Sequence, residues 1–287
     1  MAERLAIVGG DAAGMSAAST ARRRQPALDV VAFERGPYTS FSACGIPFFV
    51  GGLFDDSDRL VARSPDEHRA RGIEVHTRTT VTAVDLDRRE LTVRDQRGDE
   101  RREGFDQLVL ATGAEAVAPD VPGAAAAEPA RTIDAAERFR AALEKGGENA
   151  VVVGGGYIGL EMAEALVQRG LRVTLVERAG QVMATLDEDM AAHVQDAAEG
   201  VGIDVRLGAE LDVHRALEDP MPGLDAVARG EDAVVARAAL VVIDAQRAAV
   251  AELEARVAGE ARRRAYARRH DDVIGGQLLA VHAHGVL

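Results

Sequence analysis

The sequence predicts an α/β protein: two Rossmann-like dinucleotide-binding domains with parallel central sheets, followed by a helical C-terminal tail. Two observations predict it. A strand–glycine turn–helix–strand unit ending in an acid opens the chain, and the same unit returns near residue 150. Parallel strands need long crossover connections, usually helices, so each unit specifies a parallel pair. One glycine-rich turn is a weak signal; two complete units are a strong one. The domains are expected at 1–115 and 116–245, with the tail at 246–287.

Leu5 to Val8 reads as a short buried strand running into Gly9-Gly10-Asp11-Ala12-Ala13-Gly14. A small-residue helix follows to about Arg24, then a strand Val30 to Phe33 ending at Glu34. Glycine lets the backbone approach a pyrophosphate, and the helix N-terminus offers free N–H groups and the positive dipole end. Glu34 falls twenty residues after Gly14, where an acid accepts the hydroxyls of an adenosine ribose. Asp11 stands at the middle-glycine position, so its side chain must point away from the phosphates. Ile73 to His76 reads as a strand, Thr80–Asp85 and Glu90–Arg94 as a hairpin, and Phe105 to Leu110 as a strand stopping at Ala111-Thr112-Gly113. That small-residue turn lets backbone pass close to a flat cofactor. Ala118-Pro119 and Val121-Pro122-Gly123 mark a connector. The second unit runs Val151 to Val153, Gly154-Gly155-Gly156-Tyr157-Ile158-Gly159, a helix to about Gln168, and Arg172 to Val176 ending at Glu177. Glu177 there predicts NADH in preference to NADPH, since an acid repels a 2′-phosphate.

Composition narrows the function. The 287 residues give room for two cores, and a formal charge of −13 argues against a general polyanion binder such as a nucleic-acid protein. Lys145 is the sole lysine, which disfavours Schiff-base chemistry and a Walker-type phosphate lysine. With no long apolar stretch at the start, a cytoplasmic protein without a membrane span is expected. His193, His214, His270, His282 and His284 make no metal-ligand grouping.

Cys44 is the only cysteine, set in Ser40-Phe41-Ser42-Ala43-Cys44-Gly45-Ile46-Pro47-Phe48. It has no disulfide partner in the chain, and it adjoins the first dinucleotide turn. Two dinucleotides and one thiol suggest an electron relay from nicotinamide to flavin to sulfur. A helix start after Cys44 would favour the thiolate. Ser40 and Ser42 are expected either to orient the thiol or substrate or to cap that helix.

These residues resemble the flavoprotein pyridine nucleotide-disulfide oxidoreductases, most of all the single-cysteine branch with coenzyme A disulfide reductase and persulfide reductases. The carriers are the first glycine turn, Phe33-Glu34-Arg35-Gly36, the Cys44 segment, Ala111-Thr112-Gly113, and the second turn with Glu177. Pro47 favours the coenzyme A branch over the similar NADH oxidases, whereas Phe48 stands where that branch commonly has tyrosine and Ala43 where some members have asparagine. The resemblance implies FAD held by Gly9, Gly10, Ala13, Gly14, Glu34, Arg35, Val81, Ala111, Thr112 and Gly113. It implies NADH on Gly154, Gly156, Tyr157, Ile158, Gly159 and Glu177, with Cys44 as redox centre and Ser40 and Ser42 toward the substrate. A coenzyme A disulfide, persulfide or other small disulfide is the implied acceptor, and a homodimer the implied assembly.

The resemblance covers about residues 4–208. After residue 208 the family's Gly-Asp segment, which completes the flavin domain, is not found, nor is its dimerisation domain. Leu240 to Arg247 echoes the closing strand of a nucleotide domain, and Gln246 to His270 is a helix-prone run with Val250, Leu253 and Val257 on one face. Flavin affinity is therefore expected to be weak. Two alternatives stay open: a truncated, non-catalytic nucleotide-binding or interaction protein, and a single-cysteine NADH oxidase.

Overall fold

The structure, a computed structural model, describes residues 3–116, 128–146, 148–209, 241–242 and 279–280. The chain divides into two compact units: 1–42, 61–114 and 250–287 in the first, and 43–60 with 115–249 in the second. The expected helical tail lies outside the described residues except for one short strand.

The first unit is built on a five-stranded parallel sheet in the order β12-β7-β1-β2-β3. Its strands are β1 (Arg4–Val8), β2 (Asp29–Phe33), β3 (Glu74–His76), β7 (Gln107–Leu110) and β12 (Leu279–Ala280). β1 pairs with β2 from Arg4↔Asp29 to Val8↔Phe33 and with β7 from Leu5↔Gln107 to Val8↔Leu110. Strands buried on both faces read as apolar runs, and Leu5-Ala6-Ile7 and Val30-Val31-Ala32-Phe33 are such runs. Alternation sorts them. Leu5, Ile7, Val30 and Ala32 pack against Met15 and Ala18 of α1 (Ala12–Arg24). Ala6, Val31 and Phe33 join Leu91, Val93 and Phe105 on the other face. Leu91 and Val93 come from an antiparallel sheet of β4 (Thr80–Asp85), β5 (Glu90–Arg94) and β6 (Glu100–Gly104). Burying a side chain of the size of Phe33 or Ile7 is worth about 1.5–3 kcal/mol, so both layers contribute to stability.

The second unit holds a four-stranded parallel sheet, β10-β9-β8-β11. These strands are β8 (Asn149–Val153), β9 (Arg172–Glu177), β10 (Ile203–Leu207) and β11 (Val241–Val242). Of the closing-strand echo expected at Leu240 to Arg247, the described residues Val241 and Val242 pair with Val152 and Val153. Its helices are α2 (Ile46–Gly51), α4 (Ile133–Glu144), α5 (Tyr157–Gln168) and α6 (Glu188–Gly200). α5 buries Met162, Ala163 and Leu166.

Both glycine units fold as expected, with α1 and α5 starting directly after the turns. The hairpin is present, and β6 extends it. Its sequence, Glu100-Arg101-Arg102-Glu103-Gly104, carries no apolar alternation, and cross-strand charge pairs such as Arg94–Glu100 at 2.9 Å take that role. The connector at 118–123 lies outside the described residues.

Gly9 adopts φ +107°, and a Cβ there would collide with the Ala111 carbonyl oxygen at the end of β7. Gly98 also has a positive φ, +90°, but open space around it. Gly9→Ala is therefore expected to lower stability well beyond the roughly 1 kcal/mol of a left-handed alanine, and Gly98→Ala by about that amount alone. Urea unfolding midpoints of the two variants measure the difference.

Candidate functional site

The first glycine turn is held from behind by an acid. Glu34 accepts the N–H of Gly10 on one carboxylate oxygen (2.7 Å) and the N–H of Gly36 on the other (2.7 Å). Gly9 donates its N–H to the Phe33 carbonyl, 2.9 Å. The second turn repeats the wiring: Glu177 accepts Gly155 N–H at 2.6 Å and Ala179 N–H at 2.7 Å, and Gly154 donates to the Val176 carbonyl at 2.8 Å. A Cβ on Gly14 would strike the Gly9 carbonyl, and one on Gly159 the Gly154 carbonyl, so helix and turn are in backbone contact in both units. A carboxylate has about four acceptor positions, so each acid keeps capacity for ribose hydroxyls.

No side chain caps either helix: the N-cap residues Asp11 and Gly156 make no side-chain hydrogen bond to it. The N–H groups of both first turns stay open to an anion, which fits a pyrophosphate at each. Asp11 follows the expectation made for it. Its Oδ1 accepts the Phe41 N–H at 3.1 Å. Ala13 lies in the first turn of α1, and Ala111 donates its N–H to Val8 at 2.8 Å, which sets Thr112 and Gly113 just beyond the strand ends. Val81 packs against the second core layer, and Arg35 directly follows Glu34. In the second unit Tyr157 is exposed at the start of α5, followed by Ile158. A cavity of about 640 Å³, lined by Ala179, Gln181 and Glu188 among others, opens along the segment that follows β9.

Cys44 is exposed and sits in a 3-10 turn, Ala43–Gly45, directly before α2. That helix is short, with Pro47 in its first turn and Ile46, Pro47, Phe49 and Val50 buried. It is anchored from α4. The Arg140 guanidinium lies 4.8 Å from the Phe49 ring centroid, donates to the Phe54 carbonyl at 2.9 Å, and pairs with Asp55 at 2.8 Å.

Ser40 does not cap α2. Its hydroxyl lies 3.0 Å from Nε2 of His68, a fully buried residue of α3 (Pro65–Ala70). Ser40 has φ +48°, a strained setting for serine, and it is fixed on both sides: its N–H bonds the Gly10 carbonyl (3.1 Å) and its carbonyl accepts the Ala62 N–H (2.9 Å). Thr39 donates its hydroxyl to the Arg63 carbonyl, 3.1 Å. Residues 39–41 thus join the glycine turn to the segment before α3. Together they wall a cavity of about 460 Å³, lined by Ser16, Thr20 and Arg23 of α1, by Ser40 and Ser42, and by Arg63 and His68. Ser16, Thr20 and Arg23 share one face of α1 through their i, i+4, i+7 spacing. Among the described residues, two of the three buried side-chain polar atoms without a hydrogen-bond partner, Ser19 Oγ and His68 Nδ1, belong to residues lining this cavity. Such atoms are costly unless an occupant or water meets them.

Arg63 and His68 escaped the sequence reading. A signal was present: Ser64-Pro65-Asp66-Glu67 is a capping box with proline in the first turn, and the structure forms it, Glu67 N–H to Ser64 Oγ at 3.3 Å and Ser64 N–H to Glu67 at 2.8 Å. Among the described residues no group of three His, Cys, Asp or Glu could hold a metal ion. Among those residues no helix is long and apolar enough to cross a membrane.

With this geometry in place, comparison with known proteins gives a consistent result. The chain matches the pyridine nucleotide-disulphide oxidoreductases over residues 3–265. It belongs to that family. An NADH oxidase of Methanocaldococcus jannaschii is 37% identical over 214 residues, 73% of this chain and 48% of the relative. An NAD(P)H coenzyme A polysulfide/persulfide reductase of Pyrococcus horikoshii is 38% identical over 208 residues, 68% of this chain and 46% of the relative. The crystal structure of reduced Bacillus anthracis CoADR-RHD superposes with a TM-score of 0.72 at 31% identity, covering 76% of this chain and 40% of that one. The chain spans about half the length of the curated relatives it matches.

Burial drives the pKa of His68 below its ordinary value of 6.5, with repulsion from Arg63 and Arg71 adding to the effect and Glu67 opposing it. The unfolded chain therefore takes up a proton near pH 6.5 that the folded chain refuses until lower pH. The associated stability is present above the ordinary histidine range and is lost as pH falls through it. Urea midpoints are expected to drop between pH 7.5 and pH 5.5, and the drop to shrink in His68→Phe.

Proposed function

We propose that this protein takes reducing equivalents from NADH and, through FAD, delivers them to a coenzyme A disulfide or persulfide at Cys44. The observation that carries the substrate is the cavity of the first unit. Two arginines, several hydroxyls and two unpartnered buried polar atoms suit a phosphorylated, hydrogen-bonding ligand, and coenzyme A is named among the relatives' substrates. Arginine reads phosphate through charge-assisted hydrogen bonds.

The first turn, Glu34 and the Ala111–Gly113 turn would hold FAD, and the second turn with Glu177 would hold NADH. When bound, the flavin would carry an electron pair from nicotinamide to sulfur. The chain's own part is thiol chemistry. Cys44, as thiolate, attacks one sulfur of the disulfide, forming a mixed disulfide and releasing one coenzyme A thiolate. Two electrons originating from NADH, with protons, then cleave that bond and release the second thiol. NADH is preferred to NADPH because a 2′-phosphate on the ribose at the second turn would meet the Glu177 carboxylate. An oxidase reading is favoured by the NADH oxidase among the relatives, and it would use oxygen in place of the disulfide.

Four measurements test this reading. With FAD added, Cys44→Ser is expected to reduce NADH oxidation supported by coenzyme A disulfide to the enzyme-free level. Anaerobic assay separates the readings, because an oxidase loses its rate without oxygen and a disulfide reductase does not. Arg63→Ala is expected to weaken coenzyme A binding by ten- to a hundredfold while changing pantetheine binding little, since one charge-assisted bond is worth about 1.5–3 kcal/mol. For the nucleotide, isotherms should show NADH bound more tightly than NADPH, with the gap narrowing in Glu177→Ala.

A further inference from the structure

His68 brings to this cavity a feature that the turns, the acids and the thiol do not explain. It is a fully buried imidazole with one nitrogen bonded and the other bare: Nε2 lies 3.0 Å from Ser40 Oγ, and Nδ1 has no partner. The two neutral tautomers are therefore not equivalent. With the proton on Nδ1, a buried N–H is orphaned, and Ser40 must spend its own proton on Nε2. With the proton on Nε2, the orphan is only a lone pair, and Ser40 Oγ accepts. Orphaned buried N–H groups are rarer and costlier than orphaned acceptors. The second tautomer is the favoured one. The imidazolium would again place an N–H on Nδ1, now beside the positive charges of Arg63 and Arg71, with Arg23 lining the same cavity and Glu67 the opposing acid.

We infer that His68 is a positioning residue: as the neutral Nε2–H tautomer it fixes the Ser40 oxygen as an acceptor, leaving the Ser40 hydroxyl proton to donate to an acceptor atom of the ligand in this cavity. The other contacts of Ser40 make this a defined direction. Its backbone N–H and carbonyl are committed to Gly10 and Ala62, so the residue cannot turn away without breaking both. A hydroxyl has one proton and two lone pairs, and the histidine decides which of these faces the ligand. The inference rests on the reading of the cavity as a coenzyme A site, and its test separates the two.

The first measurement needs no ligand. Two-bond nitrogen–proton spectra of the full chain labelled with 15N-histidine, assigned by the signal lost in His68→Phe, should show the neutral Nε2–H form at pH 7. An Nδ1–H form or an imidazolium overturns the inference. The second is calorimetric titration with coenzyme A. Ser40→Ala and His68→Phe should each weaken binding by about tenfold, the loss of one hydrogen bond. The double variant should bind no more weakly than Ser40→Ala alone, and His68→Gln, which keeps an N–H donor, should recover most of the loss. Losses that multiply, or wild-type affinity in His68→Phe, overturn it, because a side chain that merely fills space would not couple to Ser40. If the wild-type chain binds no coenzyme A, the coenzyme A reading falls, and the tautomer alone decides on His68.

Discussion

Both nucleotide units depend on one interaction, a carboxylate at the end of the second strand gripping the glycine turn at the end of the first. Glu34 and Glu177 each accept one N–H from the turn and one from just beyond their own strand. The glycines of the turn have no side chains with which to stabilise it, and its backbone must stay open on the side facing a pyrophosphate. A rigid acceptor from behind supplies the missing constraint. It also explains why each turn can present a row of amides without a capping side chain. The grip does not compete with ribose recognition, because two of the carboxylate's acceptor positions remain.

The rest of the first unit's site is hung from that turn. Gly10 is held by Glu34 and in turn accepts from Ser40, so the backbone at residue 40 is tied to a left-handed geometry. Strain of this kind persists only where neighbours over-determine it. Here they do: Asp11 holds Phe41, Ala62 holds Ser40, and an antiparallel bridge joins Phe41 to Val61. Asp11 in place of a middle glycine then makes sense, since its carboxylate is a strut for the next segment. The Cys44 segment has a different support. Residues 43–60 group with the second unit, where Arg140 stacks on Phe49 and closes the loop after α2.

What was legible in the sequence is what local chemistry dictates. Strand, turn and helix of each nucleotide unit follow from apolar runs, glycines and a terminal acid within some thirty residues, and they lie where those signals place them. The hairpin followed from alternation. Its third strand did not, because charge pairing takes the place of burial there: Glu100 with Arg94 and Arg102 with Glu90 across the sheet, and Arg101 with Glu103 along the strand. The capping box that starts helix α3, Ser64 to Glu67, is a local signal, yet it says nothing of where the helix docks. His68 belongs to the cavity only through contacts twenty-eight residues away in the chain, at Ser40. Ser40 itself was readable as a site candidate by its nearness to Cys44, but its partner was not. Non-local polar contacts leave no periodicity behind.

Charge makes the last connection. The chain carries a formal charge of −13, which taken as a whole would repel a ligand bearing several phosphates. At physiological ionic strength, however, exposed charges more than about 8 Å apart are largely screened, so a bound anion feels chiefly its immediate neighbours. In the first unit's cavity those neighbours include Arg23 and Arg63. At the second glycine turn the charged neighbour is Glu177, bonded to Gly155 and Ala179. The same acidic chain thus offers one local field that suits a phosphorylated substrate and another that disfavours an extra phosphate on the nucleotide. A buried neutral histidine fits the first of these fields: a further fixed cation there would cost desolvation, whereas an uncharged imidazole orients a hydroxyl without adding to the repulsion among the arginines.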